Sequence, residues 1–288
     1  MSVPSQISKT SIVLEFDSLS GVHQAKVAPN DLADWLVGQG RHFISSAEVA
    51  DILGINRASV PGSLERARKS GKLISVTKGG WVPVPPEYRS ARAPPPSHFI
   101  HQLMEHLGHP YYVGFLSAAA IHGASHQAPM VFQVVTPAQL RDRRIGRGQI
   151  RFIRRSEIAD RPRQQQNVPT GRIWVSTPEV TIFDLVETPL EGGGLSNVAT
   201  VIGALLIEGR LNSALMASIG RLYPLAVVQR TGFLVDYMAG EVGIECDTES
   251  LRSLARGGRY RDLSPANGEG SPDPRWHIMA NIEIEHDL

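Results

Sequence analysis

The sequence is poor in several things that would place it in a familiar class. It holds one cysteine, Cys246, so no intrachain disulfide can form and a reducing compartment is the default expectation. No apolar run is long enough to cross a bilayer. Val198 to Ile207 comes nearest, at about half the required length. The opening residues MSVPSQISKT lack the apolar core of a secretory signal. A cytoplasmic protein without membrane contact is therefore expected. Catalytic signatures are missing too: there is no Gly-x-Ser-x-Gly, no His-Glu-x-x-His, and no cysteine with an assignable partner. Gly192-Gly193-Gly194 lacks the lysine and spacing of a phosphate loop, and reads instead as a helix entry with Ser196 or Asn197 near the cap. No internal repeat is found. Neither an enzyme nor a cofactor is expected.

What is there suits two compact units. The chain has 288 residues, of which 42% are apolar, enough for two cores. The net charge of +1 hides a gradient: residues 1–97 carry +3, residues 98–172 carry +6, and residues 173–288 carry −8. Two adjoining basic segments point to an anionic partner on one side of the molecule. Six prolines crowd residues 83–97, which predicts an extended, semi-rigid connection. The expected organisation is an N-terminal unit over 1–84, a proline-rich linker over 85–97, and a mixed α/β unit over 98–288. The last of these carries a Gly/Pro/Ser-rich loop from Gly257 to Pro274 and a strand-like end from Trp276 to Ile284. The fold class is α+β.

In the first unit, Asn30 is a candidate cap for a helix holding Leu32, Trp35 and Leu36 at helical spacing. Ser45 and Glu48 then form a capping box, the helix runs through Val49, Ala50, Ile52 and Leu53, and Gly54 ends it. A second helix is predicted over Ser59 to Ser70, with Val60, Leu64 and Ala67 on one face. Ser59 as cap puts Pro61 in the first turn, where its missing N–H costs nothing. The spacing Ala50–Gly54–Val60 is that of a helix-turn-helix, although Ser63 sits where a larger apolar group is common. Two strands joined at Lys78-Gly79-Gly80 follow as a wing. This predicts a winged helix-turn-helix on double-stranded DNA. Asn56, Arg57 and Ser59 are expected to read base edges, Ser63 lies on the same DNA-facing side, and Arg66, Lys69, Lys72 and Lys78 are expected on phosphates.

A second cationic group follows the linker: Arg141, Arg143, Arg144, Arg147, Arg151, Arg154 and Arg155. Residues 138–148 read as a polar loop. Gln149 to Arg154 alternates as a strand, with Ile150 and Phe152 on one face and Arg151 on the other. With few acids nearby, the cluster is a candidate second nucleic-acid surface, for DNA or RNA; a solvated basic loop is the plain alternative. Histidines also gather between 98 and 126. His122 and His126 are four apart, a spacing that can present two metal ligands, but no cysteine and few acids accompany them, so no metal is expected.

Thr177-Pro178-Glu179 is a helix start, with Thr177 as cap and Pro178 in first position. Asp184 in that helix is either a buried acceptor or part of a solvated face. These stretches together carry a resemblance. Residues 110–124 (PYYVGFLSAAAIHGA), Gln127-Ala-Pro with the strand after it, the strand from Arg172 leading into Pro178-Glu-Val-Thr-Ile-Phe-Asp-Leu, Gly192-Gly193-Gly194, and Gln229-Arg-Thr-Gly-Phe-Leu-Val-Asp resemble the AbiEi family of antitoxins, a mycobacterial member among them. The resemblance spans about residues 40–240. It implies an antitoxin of a type IV toxin–antitoxin system that represses its own promoter and counters a nucleotidyltransferase-like toxin without needing a stable complex. The alternative is a stand-alone regulator whose second domain senses a ligand.

Overall fold

The computed structural model describes residues 27–124, 130–265 and 268–287. Helix α1 (Leu32–Gly38) starts after Asp31, which makes no side-chain cap, so the expected cap at Asn30 is not used. A two-residue strand β1 (Ile44–Ser45) leads into α2 (Ser46–Leu53). The capping box is present: Glu48 N–H donates to Ser45 Oγ at 3.2 Å, and Ser45 N–H donates to Glu48 Oε2 at 2.8 Å. Gly54 closes the helix at φ 64°.

The next helix differs from expectation. Asn56, not Ser59, does the capping: its Oδ1 accepts the Ala58 N–H at 2.9 Å and starts a 3-10 turn over Arg57–Ser59. Ser59 is already helical and makes no side-chain cap. The predicted single helix is two pieces, α3 (Val60–Ser63) and α4 (Glu65–Lys69), parted at Leu64. The cause is local. Pro61-Gly62 weakens the turn, and Ser63 Oγ donates to the Ser59 carbonyl at 3.0 Å. Strands β2 (Leu73–Thr77) and β3 (Gly80–Pro83) form the expected hairpin, and β1 joins them in the order β1-β3-β2.

Two 3-10 turns, Pro86–Tyr88 and Pro96–His98, lead to α5 (Ile100–Leu107). Then follow β4 (Tyr112–Val113), α6 (Phe115–Ile121), β5 (Val131–Thr136), β6 (Arg143–Ile145), β7 (Gly148–Arg154), β8 (Arg163–Val168) and β9 (Gly171–Ser176). The strands make one mixed sheet, ordered β6-β7-β5-β4-β9-β8, in which β4/β9 and β5/β7 are parallel pairs and the others antiparallel. Helices α7 (Pro178–Glu187), α8 (Leu195–Ile207), α9 (Ser213–Gly220), α10 (Leu225–Val242) and α11 (Glu249–Ala255) come next. A small sheet closes the chain: β10 (Arg261–Asp262), β11 (Ser271–Asp273) and β12 (Ile278–Ala280), with β12 in the middle.

Strand alternation splits the apolar residues between the sheet's two faces. Tyr112 and Val135 enter a large core with Phe183, Ile202 and Leu234 from α7, α8 and α10. Val113 and Val134 enter a second core with Phe99 and Leu103. A third lies under α1 to α4. The second core also takes Val76 and Val82 from the β2–β3 hairpin and Ala93 from the proline-rich segment. The connection is therefore not extended. It folds into two turns, buries Val84, Ala93 and Pro94, and lies against both units. Burial of apolar surface along the hairpin's back outweighs the stiffness its prolines impart.

Candidate nucleic-acid interface

The tip of the β2–β3 hairpin is tied to the start of α2. Ser46 N–H donates to the Gly79 carbonyl at 2.8 Å, and the buried Trp81 Nε1–H donates to Ser46 Oγ at 2.9 Å. Gly79 holds φ 74°, the left-handed region that suits glycine in a tight turn. A Cβ built there would lie 4.0 Å from Arg57 Nη2, so the guanidinium sits beside the tip that carries Lys78. Arg57, Arg66 and Lys78 are exposed and have no ion-pair partner among the described residues. Three free cations thus line the outer side of α3, α4 and the hairpin.

The other residues singled out there divide. Asn56 is exposed but has committed its Oδ1 to the cap, leaving Nδ2 available. Ser63 turns its hydroxyl back onto the Ser59 carbonyl. Lys69 reaches Glu65 at 3.6 Å, as Arg68 does at 2.8 Å. Arg68 was not singled out in the sequence; the signal was the run Arg66-Ala-Arg-Lys, in which only one face was counted. Lys72 is engaged elsewhere. Its Nζ lies 2.7 Å from Asp34 Oδ2, while Arg89 holds Oδ1 at 2.8 Å. This triad straps α1 to the proline-rich segment. The Lys72 hydrogen bond, aided by the two positive charges, holds the Asp34 carboxyl below its ordinary value. A depressed carboxyl adds stability at neutral pH and loses it as the pH falls through the lowered value. Acidification below the ordinary aspartate range is therefore expected to loosen the strap, and Asp34→Asn to remove that acid-dependent component. The term is small, about 1 kcal/mol or less, as for exposed pairs generally. Acid titration of thermal stability for both proteins checks it.

The seven arginines do not form one surface. Residues 138–148 are not a plain loop, since β6 and β7 make an edge hairpin. Arg141, Arg144 and Arg147 are exposed, with no partner among the described residues. Arg154 is exposed and its Nε approaches the Pro137 carbonyl at 3.4 Å. Arg151 pairs with Glu191 at 2.6 Å. Arg143 donates to the Val76 carbonyl at 2.8 Å and lies over the Phe152 ring, binding the sheet to the hairpin. Arg155 points inward and is mostly buried.

Arg155 belongs to a buried ionic cluster around Asp184, whose side chain is fully enclosed. Tyr112 and Tyr223 hydroxyls donate to its two oxygens at 2.8 and 2.7 Å. Arg155 stands 3.2 Å away and also pairs with Glu187; Arg161 stands 3.4 Å away, its guanidinium 4.0 Å over the Tyr223 ring. Burial pushes the Asp184 carboxyl up, and the four donors hold the anion against that push. Burial works against charge on Arg155 as well, but Asp184 and Glu187 more than offset it and raise the guanidinium further above its ordinary range. Tyr112 and Tyr223, buried beside an anion, stay protonated as donors.

The remaining candidates are structural. Burial keeps His122 below its ordinary value, and its Nε2–H donates to the Ser176 carbonyl at 2.7 Å. His126 and Gln127 lie outside the described residues. Among the described residues no group of three or more His, Cys, Asp or Glu is placed to hold a metal ion. Asn197 Nδ2 donates to the Gly192 carbonyl at 2.6 Å, so the three glycines are the entry to α8. No helix among the described residues is long and apolar enough to cross a membrane.

Residues 112–237, from β4 into α10, match the model of the AbiEi antitoxin C-terminal domain. The chain carries an AbiEi antitoxin domain. Its limits enclose all six members of the Asp184 cluster. The crystal structure of the RV2827C protein from Mycobacterium tuberculosis superposes with a TM-score of 0.62, covering 86% of this chain and 89% of that one. At 13% identity the likeness is one of fold. No curated protein matches the chain. The AbiEi domain begins after α1 to α4 and the hairpin, so the turn carrying Arg57 and the hairpin tip carrying Lys78 lie outside the matched region.

Proposed function

We propose that the protein is a DNA-binding antitoxin of a type IV toxin–antitoxin system, acting by binding rather than catalysis in the cytoplasm. Its N-terminal unit, over 1–84, is a winged helix-turn-helix that represses its own operon. Its AbiEi domain, over 98–288 with a C-terminal extension, counters a nucleotidyltransferase-like toxin without a stable complex. One observation carries the DNA half: the hairpin tip is tied to α2 so that Lys78 and Arg57 stand together beside Gly79, both exposed and with no ion-pair partner among the described residues. That is the placement a wing and a recognition helix need to meet a groove and its flanking phosphates. The antitoxin half rests on the AbiEi match.

The test is a salt-titrated gel shift on the DNA just upstream of the gene, against a scrambled duplex. Binding about 10³-fold tighter to the native sequence is expected. Arg57→Ala should cost about 1–3 kcal/mol and relax specificity at one base pair. Lys78→Ala should weaken all sequences alike and lower the salt slope by about 1. Equal binding to native and scrambled duplexes would sink the repressor reading. Rescue of growth on co-expression with a neighbouring nucleotidyltransferase gene tests the antitoxin half.

A further inference from the structure

A groove of about 320 Å³ runs along the seam between the N-terminal unit and the AbiEi domain. Arg68 and Lys69 at the end of α4 form one wall, and Arg144 on β6 forms the other. The floor is apolar, from Leu73, Ile74 and Ile145. Glu65 is the one carboxylate that lines it, and it already bridges Arg68 and Lys69.

The walls are fixed relative to each other. Arg143 donates across the seam to the Val76 carbonyl at 2.8 Å. The β6–β7 turn sits so close to the proline-rich segment that a Cβ on Gly146 would come within 2.5 Å of the Ala91 carbonyl oxygen. Cations above an apolar floor match a sugar–phosphate strand, with ribose faces on the floor and phosphate oxygens on the guanidiniums. The distance also fits. The part of β2 that lines the groove, Leu73 to Ser75, lies three to five residues before Lys78, roughly 10–16 Å at strand rise. This is comparable to the ~12 Å width of the major groove. A duplex with one backbone at the tip can therefore set the other strand's phosphates at the groove.

We propose that this seam groove is a phosphate-backbone site for the DNA flanking the operator core, with Arg144 of the AbiEi domain as its free cation and Glu65 as a carboxylate that must yield Arg68 and Lys69 to the phosphate. The proposal rests on the DNA-binding reading above. It assigns part of the AbiEi domain to the operator, and it makes Glu65 a selectivity element. Non-specific backbone must displace the Glu65 contacts without the base contacts that help hold the operator in place.

The experiment compares two duplexes from the region upstream of the gene. One is trimmed to the footprinted core, and the other is extended by about one turn on each side. Each is titrated against salt with the wild-type chain, Arg144→Ala and Glu65→Gln. The wild-type chain should show a steeper salt slope on the extended duplex. Arg144→Ala should lose about 0.9 of that slope, one phosphate's worth, on the extended duplex only. Its melting temperature should not move, because Arg144 has no partner among the described residues. Glu65→Gln should bind the extended duplex, and scrambled DNA of equal length, more tightly. Equal wild-type slopes on the two lengths, or Arg144→Ala matching wild type on both, would overturn the proposal. So would an Arg144→Ala loss shared equally by the trimmed core, or Arg144-dependent binding of hairpin RNA tighter than duplex. A wild-type chain that binds neither duplex overturns both this site and the reading beneath it.

Discussion

Asp184→Ala is expected to cost about 3–5 kcal/mol of folding stability, the largest loss at any single polar position. The side chain is fully enclosed and is the common acceptor for two guanidiniums and two phenols. Removing it leaves Arg161 buried without its carboxylate partner. Arg155, still held by Glu187, loses half of its pairing. The phenols of Tyr112 and Tyr223 lose acceptors at the same time, each costing up to a few kcal/mol when left buried and unmet. Asp184→Asn separates charge from space. It keeps the volume and still accepts from one phenol, yet it leaves Arg161 without a counter-charge and Arg155 with Glu187 alone. If charge dominates, Asn should cost nearly as much as Ala in urea unfolding. A loss below about 1 kcal/mol for both variants would mean that the cluster is hydrated rather than closed. Replacing the whole cluster with apolar residues of similar volume should be far milder, because the cost lies in breaking the set rather than in lacking it.

Gly232→Ala is the second large expectation. Helix α10 packs its backbone flat on the Trp276 indole, and a Cβ at position 232 would fall 2.2 Å from the ring. The ring cannot swing aside. It is buried, and its Nε1–H donates to Asp236 Oδ2 at 2.7 Å. Gln229 on the same helix donates to the Trp276 carbonyl at 3.1 Å. Overpacking at such a contact costs about 1–3 kcal/mol or more, and it should loosen the small β10–β12 sheet first. Trp276→Ala, which opens a cavity, should cost about 3–5 kcal/mol alone. In the double variant the added methyl has room, so the two losses should fall short of their sum. Strict additivity would show that α10 and the indole do not share this contact.

These two positions also mark where the sequence was legible and where it was not. The Ser45–Glu48 capping box, the Gly54 stop and the Lys78–Gly79 turn were readable because their causes are local. Each depends on residues within a few positions of one another. The role of Asp184 was not readable, because its partners come from positions 112, 155, 161 and 223, and periodicity says nothing about which elements converge. Arg155 was misplaced for the same reason: six neighbouring arginines made it look like surface. The long helix over 59–70 failed at a finer level. Pro61 was accommodated as foreseen, but the following Gly62 and the Ser63 hydroxyl parted α3 from α4. The proline-rich segment was read from stiffness alone, which fixes local shape and leaves open whether a neighbour offers a surface to lie on. Lys72 looked like a phosphate contact until Asp34, thirty-eight residues earlier, claimed it.

The β2–β3 hairpin belongs to two cores at once. Leu73 and Trp81 face α1 to α4, while Val76 and Val82 sit with Phe99 and Leu103 against the mixed sheet. A shared wall of this kind makes the two halves poor cassettes. An N-terminal unit borrowed from a distant relative would bring a hairpin whose back is shaped for a different α5, and the graft would expose or crush that contact. Drift is constrained in the same way. A larger residue at Val82 must be answered by a smaller one at Phe99 or Leu103, so the N-terminal hairpin and the mixed sheet are inherited as one piece in this chain.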